Sequence, residues 1–256
     1  MRIVTWNCRQ GKILEKFEQI NTLKPDLLVV PEGDDVDLPN QTARYWLPPK
    51  NNKKHGLGVY SFGNFSISRI TRGSNAWGLY LPVKVYRYKK YVCNLIGVWT
   101  KPKEDSGDYT DGTVDILGRY AKTILEKETV LVGDFNSAGG WKTHQKILTK
   151  TEQLGLVSAF HEFHLIEQSK EKIKHSTHLH MFKNFKGHNG VVFLIDHMFI
   201  PLTWRRRIKN AKIGTKKSDK AIKIKGALRS DHRPLLVEID LDINLNRNSH
   251  KFMYDI

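Results

Sequence analysis

Short apolar runs alternate with polar stretches along the chain, and their spacing predicts an α/β fold. Residues 2–8 alternate as a β-strand does, and residues 13–23 carry apolar side chains at helical spacing. The apolar run at 26–30 predicts a second strand. A right-handed crossover between the two strands would bring Asn7 and Glu32, which lie at their carboxyl ends, side by side at one edge of a sheet.

The later pattern adds strands and helices to this first unit. Residues 33–56 are polar and predict a surface loop, whereas the short alternating runs between 56 and 100 predict an antiparallel meander. Helical spacing returns at 114–125 and again at 141–154, on either side of a central strand. A last strand is expected at 235–241, and the tail from residue 244 is irregular.

The central strand is followed directly by polar side chains. It lies in the sequence TVLVGDFNSA at 129–138, where Gly133 allows a sharp turn just before Asp134 and Asn136. A carboxylate and a carboxamide two positions apart can face one phosphate or one metal ion. A solvated turn after a core strand remains the alternative for these residues taken alone.

A second carboxylate interrupts an apolar run. Residues 191–200, VVFLIDHMFI, predict one buried strand that contains Asp196. An acid inside such a run costs free energy unless it is paired or catalytic, so Asp196 is a candidate site residue. The six histidines between 161 and 188 do not predict a zinc site, because their spacing is irregular and lysines separate them.

Charge points to an anionic partner. The chain has 256 residues, with 42 Lys and Arg against 26 Asp and Glu, a formal charge of +16. Such a charge favours a polyanion or an anionic substrate. Part of it lies at 201–226, where Arg205, Arg206 and Arg207 stand close to Asp196 in sequence, and we expect these arginines to contact substrate phosphates.

Composition indicates an ordinary globular protein with a cytoplasmic location. No apolar run is long enough for a membrane span, and the first residues enter a strand pattern without a signal peptide. Two cysteines, Cys8 and Cys93, lie in strand-like runs and suit packed, reduced thiols. Because the candidate acids are spread over nearly the whole chain, we expect a single domain over 1–256, with no obligate protein partner.

Five short motifs occur in one order and together resemble the endonuclease/exonuclease/phosphatase superfamily, which includes pancreatic-type deoxyribonuclease and the abasic-site endonucleases. They are TWN at 5–7, PE at 31–32, GDFNS at 133–137, LIDHMFI at 194–200 and SDHRPL at 230–235. The resemblance implies a four-layer α/β sandwich, with two mixed β-sheets face to face and helices outside. It also implies a divalent-cation-dependent phosphodiesterase or phosphatase site at one rim.

The resemblance implies a role for each matching residue on the metal side of the site. Glu32 matches the principal ligand of Mg²⁺, for which Mn²⁺ can substitute. Asn7 and Asp231 match the other residues on the metal side. Asp134 and Asn136 match the residues that orient the attacking water and hold the phosphate.

Other matches concern acid–base chemistry and substrate binding. His232 matches the family's essential histidine, and Asp196 matches the carboxylate that orients it. Thr177, in the HSTH sequence, matches a threonine that contacts phosphate. Trp99 stands where members often have a second histidine or a tyrosine, and tryptophan is neither an acid nor a base, so we assign it to substrate binding. Arg9 replaces an acid usual in abasic-site endonucleases and argues against abasic-site specificity.

The leading interpretation is therefore a Mg²⁺-dependent phosphodiesterase that hydrolyses nucleic acid, with DNA favoured by the basic charge and with endonuclease and exonuclease both open. One alternative is a phosphatase or phosphodiesterase for a small or lipid phosphate, which would show little salt dependence. Another is a catalytically silent nucleic-acid-binding module, against which the retention of every candidate acid argues.

Overall fold

The structure is a computed structural model that describes residues 1–9, 11–49, 54–70, 73–75, 78–101, 109–138, 141–167, 177–180, 191–214 and 230–242. Within this part of the chain the strands form two large sheets and one short pair. None of the helices described is long and apolar enough to cross a membrane.

The first sheet has six strands in the order β14-β15-β1-β2-β4-β3. Its strands are β1 Arg2–Thr5, β2 Leu27–Gly33, β3 Gln41–Leu47, β4 Gly56–Phe62, β14 Ile208–Ile213 and β15 Leu235–Ile239. β1 and β2 run parallel and α1, Ile13–Thr22, connects them, which confirms the strand, helix and strand expected from the first thirty or so residues.

The second sheet has the order β10-β13-β9-β8-β7-β5, with β6 paired to β7. Its strands are β5 Phe65–Arg69, β6 Gly73–Asn75, β7 Gly78–Arg87, β8 Lys90–Thr100, β9 Thr129–Asp134, β10 Leu156–Ser158 and β13 Asp196–Pro201. The short pair consists of β11 His178–His180 and β12 Val191–Phe193. The remaining helices are α2 Thr110–Arg119, α3 Ala121–Glu126, α4 His144–Gln153, α5 Ala159–His164 and a 3-10 helix, Leu202–Arg207.

Buried apolar side chains divide the molecule into four layers. One cluster lies between the sheets and includes Val29 and Val59 of the first sheet and Leu95 and Val132 of the second. A second cluster packs α2, α3 and α4 on the outer face of the second sheet, and a third packs α1 on the outer face of the first. The four-layer α/β sandwich expected from the sequence motifs is confirmed.

The alternation of side chains along the strands carries polar groups to one rim of the inter-sheet layer. On β9, Val130 and Val132 face the other sheet, and Asp134 continues the same face two residues later. On β13, Asp196 shares a face with Met198, and it pairs with Asp134 across the ladder. The two carboxylates therefore reach the same edge of the core from neighbouring strands.

The prediction of a surface loop over 33–56 is wrong in part. Gln41–Leu47 forms β3, an edge strand that pairs with β4. Its side chains are mostly half-buried without strict alternation, so the strand lacks the periodicity that sequence patterns detect. Trp46 packs in this region and donates a hydrogen bond from Nε1 to the carbonyl of Gly33 at 3.0 Å.

Other boundaries also differ from the sequence pattern. The meander divides between the sheets, since β4 pairs with β2 and β5 pairs with β7. The helical pattern at 114–125 becomes α2 and α3, separated at Tyr120. The apolar run at 191–200 becomes β12 and β13, because the two segments pair with different strands, β11 and β9. The hydroxyl of Thr177 accepts hydrogen bonds from the backbone N–H groups of Ile195 and Asp196, where β13 begins.

The approach of β8 to β9 predicts a strong requirement for glycine at position 133. Gly133 has φ +147°, and an added Cβ would lie 1.9 Å from the carbonyl oxygen of Val98. We expect Gly133→Ala to lower the free energy of unfolding by about 3 kcal/mol or more, measured by urea denaturation. Gly63, with φ +60° and open space around it, is the matched control, and its replacement by alanine should cost only about 1 kcal/mol. Equal losses would contradict this account.

Candidate active site

Most of the site residues expected from the sequence motifs meet at the rim between the two sheets. Those that meet there are Asn7, Glu32, Asp134, Asp196, Asp231 and His232. They come from the ends of β1, β2, β9 and β13 and from the segment before β15. Polar groups that are far apart in sequence therefore form one cluster on top of an apolar core.

Asn7 joins the carboxylates of the two sheets. Its Nδ2 donates hydrogen bonds to Glu32 Oε1 at 3.0 Å and to Asp134 Oδ2 at 2.9 Å. Its Oδ1 accepts from the backbone N–H of Arg9 at 2.8 Å, which fixes the orientation of the amide. One buried side chain thus holds Glu32 and Asp134 next to each other.

Two residues at this rim adopt left-handed backbone conformations that are uncommon for side-chain-bearing residues. Glu32 has φ +56° and Asn136 has φ +47°. Each such residue costs about 1–3 kcal/mol unless its surroundings hold it in place. The N–H of Asn136 donates to Asp134 Oδ1 at 2.9 Å, and its Nδ2 donates to the carbonyl of Thr100 at 3.2 Å. Asn136 therefore fixes Asp134 and ties it to the end of β8.

Asp196 and His232 form a buried ion pair. His232 Nδ1 donates to Asp196 Oδ2 at 2.7 Å. Burial alone would lower the pKa of His232, but the charge and hydrogen bond of Asp196, followed by the charges of Asp134 and Asp231, raise it to about 9. The imidazole is therefore protonated at neutral pH, and its other nitrogen is a hydrogen-bond donor.

Several hydrogen bonds hold this pair in place. Trp6 Nε1 donates to the carbonyl of His232 at 2.9 Å, and the N–H of His232 donates to Ser230 Oγ at 3.1 Å. Ser230 Oγ in turn donates to the carbonyl of Asn7 at 2.6 Å, which links the histidine segment to β1. Thr177 accepts from the N–H of Asp196 at 3.1 Å.

The placement of Thr177 supports a role in fixing the Asp196 backbone. Its hydroxyl is buried and already accepts two backbone N–H groups. The contact with phosphate expected from the sequence stays a prediction. The neighbouring His175 lies outside the described residues.

The carboxyl group of Asp134 is fully buried and carries an unusual pKa. Burial raises the pKa of Asp134 to about 7, with a further rise from the charge of Asp196, against the lowering effects of His232 and of the hydrogen bond from Asn7. Asp196 Oδ1 is also buried and has no hydrogen-bond partner among the described residues. The rim therefore carries more negative charge than its own hydrogen bonds compensate.

This excess of buried oxygen fits a divalent cation. Asp134, Asp196 and His232 have ligand atoms that all lie within 4.8 Å of one another and could hold a metal ion. His232 is the weakest of these candidates, because its Nδ1 is engaged by Asp196 and its raised pKa keeps it protonated. Hard cations prefer oxygen ligands, so the carboxylates at this rim suit a divalent cation better than the imidazole does.

Asp231 lies beside the same group of residues but is partly exposed. Its carboxylate forms an ion pair with Arg9 Nε at 3.5 Å, with the two side chains 28% and 52% exposed. Arg9 therefore neutralises part of the charge at this side of the rim. The assignment of Asp231 to the metal stays a prediction.

The structure does not bring Arg205, Arg206 and Arg207 to this rim. β13 runs away from Asp196 for six residues, roughly 15–20 Å, before the 3-10 helix that carries the arginines. There Arg205 pairs with Glu162 on α5. Closeness in sequence to Asp196 therefore does not bring these arginines to its end of β13, and the contact with substrate phosphates expected of them stays a prediction.

Two groups that support the site were missed by sequence reasoning. Lys16 is buried on α1, and its Nζ donates to the carbonyls of Cys8 and Gly11, so it holds the loop that follows Asn7. Its position three residues after Ile13, on the buried face of the helix, was an available signal. That loop is also bonded to β2, because the N–H of Gly11 donates to the carbonyl of Glu32 at 2.7 Å.

A histidine group supports the turn after β9 from the other face of the sheet. His197 Nε2 donates to the carbonyl of Ser137 at 2.7 Å, and His144 Nδ1 lies 2.9 Å from Ser137 Oγ. The rings of His144 and His197 are 4.9 Å apart, and His161 stacks at 6.5 Å from His197. Burial, followed by the charge of His144, places the pKa of His197 well below its ordinary value, so its ring is neutral.

The sequence matches no protein-family model and no curated protein. Solved structures resemble it over almost their whole length. The AP endonuclease from Archaeoglobus fulgidus has 16% identity, with 94% of this chain and 100% of that chain covered and a TM-score of 0.67. The 3′ phosphatase NExo from Neisseria, bound to a product DNA hairpin, has 16% identity, 94% and 99% coverage and a TM-score of 0.65.

The endonuclease domain of TRAS1, a telomere-specific non-LTR retrotransposon, has 12% identity, with 94% of this chain and 99% of that chain covered and a TM-score of 0.66. At such low identity the likeness concerns the arrangement of strands and helices. The chain has the endonuclease/exonuclease/phosphatase fold that its sequence motifs implied.

Proposed function

We propose that this protein is a Mg²⁺-dependent phosphodiesterase that hydrolyses DNA, acting as an endonuclease or an exonuclease. The observation that carries the proposal is the buried Asp196–His232 pair beside Asp134, whose carboxylate is joined to Glu32 through Asn7. A protonated imidazole and a group of carboxylates at one rim are the parts that hydrolysis of a phosphodiester requires.

The carboxylates would hold the cation. Glu32 would be the principal ligand, with Asp231 beside the Asn7 loop, and Asn7 would keep Glu32 and Asp134 at a fixed separation. When bound, Mg²⁺ neutralises charge on the phosphate and polarises it toward attack. Mn²⁺ would serve the same purpose because it also prefers oxygen ligands.

Asp134 is suited to orient the attacking water and accept its proton. A general base works best when its pKa is near the working pH, and burial places the pKa of Asp134 at about 7. The backbone N–H of Asn136 donates to Oδ1 of Asp134, and the amide of Asn7 donates to Oδ2. These two hydrogen bonds fix the direction of the carboxylate. The carboxylate retains further lone pairs for a water molecule.

His232 is suited to stabilise charge on the phosphate oxygens. Its Nδ1 is engaged by Asp196, so Nε2 carries the proton that is available to the substrate. Because the pKa of the ring is about 9, the proton is present throughout the neutral range. Asp196 holds the ring in this orientation and stabilises its positive charge.

DNA is the favoured substrate because the chain carries a formal charge of +16. From the sequence, we expect the lysines between residues 215 and 229 to contact the phosphate backbone of DNA. The described residues on either side of that segment lie at the catalytic rim, where Gly214 N–H donates to the carbonyl of Pro234 and Ser230 bonds Asn7.

The proposal includes a cytoplasmic location, which the two cysteines support. Cys8 and Cys93 are buried and free, and burial raises the pKa of Cys8 to about 12. Thiols in this state are unreactive and persist in a reducing compartment.

Nicking of supercoiled plasmid tests the proposal directly. We expect Mg²⁺-dependent nicking or linearisation that EDTA abolishes and that His232→Ala lowers by roughly 10²-fold or more, because the charge opposite the phosphate is lost. The nicking activity of Asp196→Asn should be lowered by a similar factor, since the imidazolium of His232 then loses its counter-charge. An active His232→Ala enzyme, or a plasmid left intact by the unaltered protein with Mg²⁺ and with Mn²⁺, would contradict the proposal.

Binding of the cation should be visible without any substrate. We expect Mg²⁺ or Mn²⁺ to raise the melting temperature relative to EDTA, because a ligand that binds only the folded state stabilises it by about 2.7 kcal/mol at one hundred times its dissociation constant. Glu32→Gln should remove most of this shift. Glu15→Gln, on the exposed part of α1, is the matched control and should retain it. An unchanged shift in Glu32→Gln would show that the cation binds elsewhere.

The raised pKa of His232 also makes a pH-dependent contribution to stability. A histidine with a folded pKa of about 9 and an ordinary pKa of 6.5 stabilises the fold fully below pH 6.5 and loses that contribution as pH rises through 9. Urea denaturation in EDTA should show the free energy of unfolding falling between these values by up to about 3 kcal/mol more than in His232→Gln. Parallel pH profiles for the two proteins would refute the assignment.

A further inference from the structure

Trp99 lies beside the catalytic carboxylate and supports a lysine. Residue 99 of β8 is paired with Asp134 of β9 in the parallel ladder. The indole belongs to the inter-sheet core and is only 8% exposed, so it cannot stack on a base that lies outside the core. Lys101 Nζ lies over this ring, 4.7 Å from its centroid. Trp99 therefore acts as a platform for a cation.

The backbone places Lys101 at the edge of the site. The carbonyl of Thr100 accepts a hydrogen bond from Asn136 Nδ2 at 3.2 Å, so Lys101 follows directly after a residue bonded to the Asp134 turn. Its side chain is half-buried.

The charge of Lys101 is not offset by a carboxylate of any residue that the structure describes. Within the part of the chain that the structure describes, no carboxylate oxygen lies within 4.0 Å of its Nζ. Arg9, on the first sheet, differs because it is paired with Asp231. The ammonium of Lys101 is thus recorded against the ring of Trp99 and not in an ion pair with Asp134.

We propose that Lys101, held by Trp99, binds a backbone phosphate that flanks the one being hydrolysed. This inference rests on the proposed function and narrows its substrate to polymers with at least two neighbouring phosphates. It also explains the tryptophan where a proton-transferring side chain was expected. Tryptophan gives the strongest cation–π contact of the aromatic residues, and this contact fixes the position of the ammonium.

The salt dependence of DNA binding tests this contact. A fluorescent 20-base-pair duplex is titrated with the protein in EDTA, which prevents cleavage, at salt concentrations from 50 to 200 mM. Each phosphate contact contributes about 0.9 to the slope of log affinity against log salt. We expect Lys101→Met to weaken binding about tenfold at 50 mM salt and to reduce the slope by about 1.

The matched control is Lys89→Met. Lys89 is exposed at the turn between β7 and β8, and the ladder places that turn at the other end of these strands from Trp99. Its replacement removes the same charge from a distant surface and should leave the slope within error. An unchanged slope in Lys101→Met, or an equal change in both variants, would overturn the proposal.

A double-mutant cycle tests the part played by Trp99. If the ring acts by holding the ammonium, Trp99→Leu should weaken DNA binding, and combining it with Lys101→Met should add little to the effect of the lysine substitution alone. The melting temperature of each variant identifies losses that come from unfolding. Additive effects in folded variants would show that Trp99 does not act through Lys101.

Comparison of two substrates separates failure of this inference from failure of the proposed function. Bis(p-nitrophenyl) phosphate has a single phosphate, so Lys101→Met should lower kcat/KM on plasmid DNA about tenfold more than kcat/KM on this diester. An equal loss on both would place Lys101 at the reacting phosphate and overturn the proposal. If the unaltered protein cleaves neither substrate, the proposed function fails, while the salt slope still decides whether Lys101 binds phosphate.

Discussion

Burial of negative charge at the edge of an apolar core is the constraint on which the rest of the site depends. Asp134 and Asp196 are both almost fully buried on adjacent strands, directly opposite each other in the ladder. Two carboxylates so close together raise each other's free energy unless cations or hydrogen bonds compensate them. The imidazolium of His232 and the amide of Asn7 both meet this single requirement.

The fold supplies this arrangement through the strict alternation of strand side chains. Val130, Val132 and Asp134 occupy successive inward positions on β9, so the residue that ends the apolar series is the catalytic candidate. The turn that follows must then leave the strand abruptly. Gly133 permits close contact with β8, and Asn136 takes a left-handed conformation that directs its N–H back to the carboxylate.

The sequence was sufficient to predict those parts of the site that depend on local pattern. Asn7, Glu32, Asp134 and Asp196 stand at strand ends or inside apolar runs, where a polar residue is conspicuous, and the ordered motifs added His232. The edge strand β3 was missed because half-buried positions show no alternation. The distant position of Arg205 was missed because the direction of β13 relative to β9 is set by long-range pairing that no local pattern records. Lys16 and Ser137 act through backbone carbonyls and turns, which leave little trace in composition.

Asp196 and His197 are consecutive residues on opposite faces of β13, and they connect two histidines of opposite character. His232, in contact with Asp196, stabilises the fold by carrying a proton, whereas His197 is buried without one among His144 and His161. The stabilising contribution of His232 is lost as pH rises. The folded state is also destabilised as pH falls below 6.5, the ordinary pKa of histidine, because His197 then takes up a proton more readily in the unfolded chain than in the folded protein. Neighbouring residues of one strand thus make opposite contributions to the pH dependence of stability, one lost as pH rises and the other lost as pH falls.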